Sequence, residues 1–182
     1  MEKLIQSHGV EVVWHSYELR PKGSPPIPPE YLARIKAGRP RLLQIAREHY
    51  GLEINQGPHG ISSRDALIGA KYAEAQGKGP QYHAAMLRAY WQRANDISER
   101  VVLGMIAQSI GLDEAAFRAA LDDPQYDERV EADVVLAYQY GLNGVPALIF
   151  NNKYLVSGAQ PYEVLVRVVE KVQSEAASQE NQ

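Results

Sequence analysis

The sequence predicts an α/β fold in which one N-terminal strand and a short C-terminal β-hairpin stand on either side of a long succession of helices. Three observations carry this expectation. Leu148-Ile149-Phe150 and Tyr154-Leu155-Val156 are aliphatic, aromatic and β-branched runs, and the Asn151-Asn152 pair between them tolerates the positive φ angles of a tight hairpin turn. Residues 10–19, rich in Val, Trp and Tyr with partial alternation, form the best strand signal of the first half and stop at Pro21. Between these two regions, capping residues and helical spacing recur almost without interruption.

In chain order, residues 1–8 read as the last turns of a helix with Leu4 and Ile5 apolar, closed by Gly9. After the strand at 10–19, prolines at 21, 25, 26, 28 and 29 impose extended geometry, and a stiff surface loop is their commoner use than a ligand for aromatic grooves. Two short helices are expected over 29–37 and 41–50, the second ending at Gly51. Ser62 with Asp65 reads as a capping-box variant for a helix over 63–76, closed by Gly77. Pro80 opens another, whose Tyr82, Met86, Tyr90 and Ala94, beside Leu87 and Trp91, make one broad apolar face suited to core packing. Asp96 with Glu99 is expected to cap a helix that runs to Gly111. Asp113 caps the next, and a longer helix over 125–140 turns Val130, Val134 and Ala137 to one side. Pro161 opens the last helix, and residues 176–182 read as a flexible tail.

Composition narrows the function classes. A formal net charge of −3 and a pI near 6.0 leave no basic footprint for nucleic acid. No apolar run reaches membrane-spanning length, so no membrane partner is expected. The histidines at 8, 15, 49, 59 and 83 show no metal-ligand spacing, Ser62-Ser63 has no base nearby in sequence, and Asp122-Asp123 beside Pro124 reads as a helix-ending turn. These residues point to no metal and no bound cofactor. Cysteine is absent from all 182 residues, which leaves no thiolate for redox or metal chemistry.

The wording around the hairpin is the most informative part of the chain. Pro146 cannot donate to a ladder and belongs at the first residue of its strand, which makes Val145-Pro146 the candidate for a cis peptide bond. Gly144-Val145-Pro146, then the strand, the Asn-Asn turn, Ser157-Gly158-Ala159 and a closing helix together resemble the C-terminal half of the thioredoxin fold. The wording is similar to the DsbA-like family in its FrnE-like branch, and the order strand, helices, hairpin, helix resembles a thioredoxin domain carrying an all-helical insertion. The resemblance implies a thioredoxin-like domain from residues 1–20 and 141–175 and an inserted loop and helical domain over 21–140.

It also implies an opening strand and Cys-Pro-x-Cys turn ahead of residue 1, roughly thirty residues of strand, turn and helix by the usual size of such units. On that reading the chain is N-terminally incomplete and Met1 is an internal start. Disulfide exchange needs a thiolate, so no catalytic residue is assigned and the chain itself is expected to be redox-inactive. What carries over is a substrate-binding edge: Pro146 exposes the backbone of Val145 to an extended segment, and Gly158 lets the segment approach closely. The implied partners are protein or peptide thiol and disulfide substrates, and the implied compartment is a bacterial cytoplasm. Two rival readings share the architecture. Glutathione-dependent isomerases and kappa-class transferases are similar to it and would make glutathione a partner. A non-catalytic peptide-binding protein would use the same cleft, and an unpaired strand edge would let a second copy pair as a homodimer.

Overall fold

The computed structural model describes residues 1–21, 23–55 and 57–180. They form eight helices and two strands in the order α1 (Glu2–His8), α2 (Pro29–Tyr50), α3 (Arg64–Ala75), α4 (Gly79–Trp91), α5 (Arg100–Ser109), α6 (Glu114–Ala120), α7 (Pro124–Gln139), β1 (Ala147–Phe150), β2 (Tyr154–Ser157) and α8 (Tyr162–Glu180). The chain divides into two compact units, Met1–Leu19 with Asp133–Gln182, and Arg20–Ala132.

The first unit holds the sheet. β1 and β2 pair antiparallel with Phe150 opposite Tyr154 and Ala147 opposite Ser157. Asn151 and Asn152 both take positive φ, 49° and 52°, and Lys153 N–H donates to Phe150 O at 3.0 Å to close the turn. Asparagine is chosen here because its short polar side chain pays least for the left-handed region among residues with a Cβ. A lone hairpin is marginal in water, and this one packs against α8, which supplies the apolar surface it needs. The inward stripe of α8 is Tyr162, Leu165, Val166 and Val169, spaced i, i+3, i+4 and i+7, with Val169 buried. Leu4 of α1 is buried too, and α1 is tied to α8 by Ser7 Oγ and Tyr162 OH at 2.7 Å and by the Lys3 ammonium 4.1 Å over the Tyr162 ring.

The second unit is helical among the described residues. Tyr72, Tyr82, Leu103, Phe117 and Val130 form its centre, one from each of α3 to α7. Around this core, carboxylates hold arginines in place: Arg64 reaches Asp127 at 2.6 Å, Arg100 bridges Asp65 at 2.6 Å and Asp122 at 2.7 Å, and Arg129 reaches Glu74 at 3.2 Å. Asp113 caps α6 by accepting from Ala116 N–H at 2.7 Å.

Several expectations are corrected. Residues 10–19 form no strand, and the sheet among the described residues consists of β1 and β2 alone. β-branched residues favour a pleated surface only where a neighbouring strand completes the ladder. Here the backbone turns to a side chain instead, with Ser16 N–H donating to Asp133 Oδ2 at 2.7 Å. The two helices expected over 29–37 and 41–50 are one, α2, with Pro40 inside it. Proline deletes one N–H of the ladder, and the turns on both sides continue past it. The tail expected from 176 is helical through Glu180, while 181–182 lie outside the described residues. Asp65 makes no cap and pairs with Arg100, and α5 starts only at Arg100 because Asp96 is engaged by the Ser98 N–H at 2.9 Å and its hydroxyl at 2.6 Å. The broad face assigned to α4 is narrower: Tyr82 and Ala89 are buried, Leu87 and Trp91 are about half exposed, and Ala94 lies beyond the helix.

Tyr82 is nearly inaccessible, and its hydroxyl has no hydrogen-bond partner among the described residues. Burial pushes its phenol far above the ordinary range, with a smaller contribution from Asp65. An unpaired buried hydroxyl costs roughly 1–3 kcal/mol, so Tyr82→Phe is expected to leave stability unchanged or raise it by about 1 kcal/mol in urea denaturation. A loss above about 1 kcal/mol would show that the hydroxyl is satisfied.

Candidate functional site

The site lies where the chain enters the hairpin. α7 ends at Gln139, Gly141 takes φ 67°, and the loop that follows delivers Val145 to the sheet's first strand. The Val145–Pro146 peptide is cis. Pro146 contributes its carbonyl, which accepts from Gly158 N–H at 2.8 Å, so the two loops at this end of the hairpin are fastened to each other. Val145 is half exposed, and no hydrogen bond joins it to any described residue. Its amide and carbonyl are therefore open to a strand-like partner.

Gly158 completes the rim. Its φ of +76° is a region that residues with a Cβ avoid, and a Cβ built there would meet only Gln160 Nε2, at 3.8 Å. The space beside it is open, and Gln160 is itself held by donating to Ser157 O at 2.9 Å. Val145, Pro146 and Gly158, the three positions expected to bind substrate, thus stand at one end of the β1–β2 hairpin.

The far end of the hairpin is anchored by charge. Glu175 of α8 takes Lys153 Nζ at 2.6 Å and the Tyr154 hydroxyl at 2.5 Å, while Lys171 lies 4.6 Å from the Tyr154 ring centre. The hydrogen bond from Lys153, then that from Tyr154, holds the Glu175 carboxyl below its usual value, and the same bond raises Lys153. These groups fix the hairpin on α8, with Lys153 exposed and Tyr154 and Glu175 partly buried.

One pairing has no signature in the sequence. His15 Nδ1 lies 2.6 Å from Asp133 Oδ1, a carboxylate only 12% exposed whose second oxygen takes the Ser16 N–H. The pair joins residues 118 positions apart, so no local spacing announces it. Its evident effect is to fasten the segment after α1 to α7, because both carboxylate oxygens are committed to that segment.

Among the described residues no helix is long and apolar enough to cross a membrane. The site leaves the Val145 amide and carbonyl without partners among the described residues, and the sequence supplies no thiol beside them.

Comparison with known proteins agrees with this geometry. The model of the DSBA-like thioredoxin domain family matches residues 1–170. The uncharacterized protein YwbO of Bacillus subtilis strain 168 is 28% identical over 172 residues, covering 92% of this chain and 85% of its own. The crystal structure of a probable DsbA oxidoreductase from Streptomyces coelicolor superposes with a TM-score of 0.84 at 30% identity, covering 96% of this chain and 82% of that one. A 2-hydroxychromene-2-carboxylate isomerase shares the fold at a TM-score of 0.79 and 19% identity, over 97% of this chain and 88% of that one. With a thioredoxin-like α/β architecture, a helical insertion and the Val145-Pro146 hairpin all in place, the chain belongs to the DSBA-like thioredoxin domain family.

Proposed function

We propose that these 182 residues provide the substrate-binding part of a FrnE-like thiol-disulfide oxidoreductase, holding an extended peptide by main-chain hydrogen bonds at Val145 and carrying out no exchange themselves. The observation that supports this most directly is the unbonded, half-exposed Val145 beside a loop pair fixed by the Pro146–Gly158 bond. Backbone pairing asks little of a substrate's sequence, which suits a protein acting on many unfolded chains. Exchange itself begins with thiolate attack on a sulfur, and that thiolate has to come from outside these residues.

The test uses a fluorescent, cysteine-free extended peptide and the same peptide N-methylated at alternate residues, which deletes main-chain donors without altering the protein. Two lost hydrogen bonds at roughly 1 kcal/mol each weaken binding by about tenfold or more. The unmethylated peptide is expected to bind and the methylated one to bind at least about tenfold more weakly. Insulin reduction by the chain alone is expected to stay at the buffer rate. Equal affinity for both peptides, or no binding of either, would overturn the proposal.

A further inference from the structure

The helical unit contains a second surface with the makings of a site. α4 and α5 lie side by side, and between them opens a cavity of about 550 Å³, within the range of small-molecule pockets. Its apolar lining comes from facing stripes at helical spacing: Ala85 and Ala89 on α4, and Val102, Met105 and Ile106 on α5. Ile106 and Ala89 are buried, whereas the Met105 side chain is 55% exposed at the opening.

Two arginines, Arg88 and Arg93, line the same cavity, and no carboxylate does. This sets them apart from the other arginines of α3 to α7. Arg64, Arg100, Arg118 and Arg129, the other arginines of residues 64–132, each meet a carboxylate within 3.2 Å or less. Arg88 and Arg93 form no ion pair with any described residue. From α3 to α7, within residues 64–132, every guanidinium group outside this groove thus meets a carboxylate, whereas Arg34, Arg39 and Arg41 of α2 form no ion pair with a described residue either.

The segment that carries Arg93 is held in an uncommon shape. Ala94 has φ 55°, a left-handed conformation that costs an L-residue about 1–2 kcal/mol. It is fixed by the loop preceding α3: Asn55 N–H donates to Trp91 O at 2.9 Å, the Asn55 side-chain amide donates to Gln92 O, and Asn95 N–H returns to Ala89 O at 2.9 Å. These bonds use the last carbonyls of α4 and set Arg93 and the cavity-lining Asn95 before any ligand arrives, which lowers the ordering cost of binding.

From the unpaired arginines, the apolar lining and the fixed turn we infer that the α4–α5 groove binds a small organic acid, one anionic head on an apolar body. The head is taken by Arg88 and Arg93, whose planar donor forks match a carboxylate, with Asn95 and Ser109 as the further polar groups of the lining. The body lies along Val102, Met105 and Ile106. This inference does not depend on peptide binding at Val145, because every residue in it belongs to the helical unit.

Titration with decanoate tests it, followed through the methyl resonance of Met105 in the full chain, with acetate and decanamide as the head-only and uncharged controls. Decanoate is expected to shift Met105 saturably at one equivalent, while acetate and decanamide each bind at least tenfold more weakly. The double variant Arg88→Gln, Arg93→Gln changes only exposed side chains and is expected to lose at least tenfold in decanoate affinity with an unchanged melting temperature. A Met105→Glu chain, which puts a negative charge at the opening, is expected to lose at least as much. Failure of decanoate to move Met105, equal binding of decanamide, or undiminished affinity in the double variant would each overturn the assignment.

Discussion

Phe117→Ala is expected to lower the unfolding free energy by about 3–5 kcal/mol, the range for emptying a large buried aromatic site. Phe117 is fully buried on α6, where its ring meets Tyr72 edge-on at 5.9 Å between centres and Tyr82 at 5.8 Å. Tyr72 in turn meets Tyr126 at 5.6 Å, so one ring sits at the centre of contacts from α3, α4 and, through Tyr72, α7. Removing it leaves a void that three stiff tyrosines cannot close by rotamer change alone. Single domains are stable by roughly 5–15 kcal/mol, so the loss takes a large share of what holds the helical unit together. Urea denaturation followed by circular dichroism measures it, and a loss under about 1 kcal/mol would show that this aromatic cluster is not the core of the unit.

The opposite error at the same place, Gly69→Ala, is expected to cost about 3 kcal/mol, at the upper end of the overpacking range. A Cβ at Gly69 would stand 2.5 Å from the Tyr82 hydroxyl and 2.6 and 2.9 Å from two ring atoms of Phe117. Alanine is the better helix former, which favours the substitution by up to about 1 kcal/mol, but rigid rings on two other helices cannot give way. The clash and the ring are coupled: adding Phe117→Leu to the Gly69→Ala chain is expected to cost less than the sum of the two changes. Strict additivity in that double-mutant cycle would mean that the contact is not the source of the effect.

What could be read from the sequence follows the range over which each signal acts. The Asn151-Asn152 turn and the Asp113 cap are local chemistry, decided within four residues, and both appear where expected. Residues 10–19 carry a strand signal without forming a strand, because they specify a preference for a pleated surface and say nothing of whether a partner strand adjoins it. Pro40 misled in the other direction, as a local breaker absorbed by a helix of 22 residues. The His15–Asp133 pair and the unpaired state of Arg88 and Arg93 are tertiary facts: an arginine without a carboxylate looks, in sequence, like any other surface charge. Gly69 is likewise silent in the sequence, and its necessity comes from side chains of two other helices. That Val145, Pro146 and Gly158 stand together was legible because hairpin and loop are contiguous, so one short stretch of sequence brings the three positions to one end of the sheet.

Hydrogen exchange at the Val145 amide is the most direct measurement of the proposed peptide-binding edge. In the free protein this amide should exchange quickly, because it has no partner; with the cysteine-free peptide at saturation its exchange should slow at least tenfold, while the amides of Leu103 and Val130 in the helical unit stay as they were. Peptide binding that protects other amides and leaves Val145 exchanging at its free rate would contradict the account.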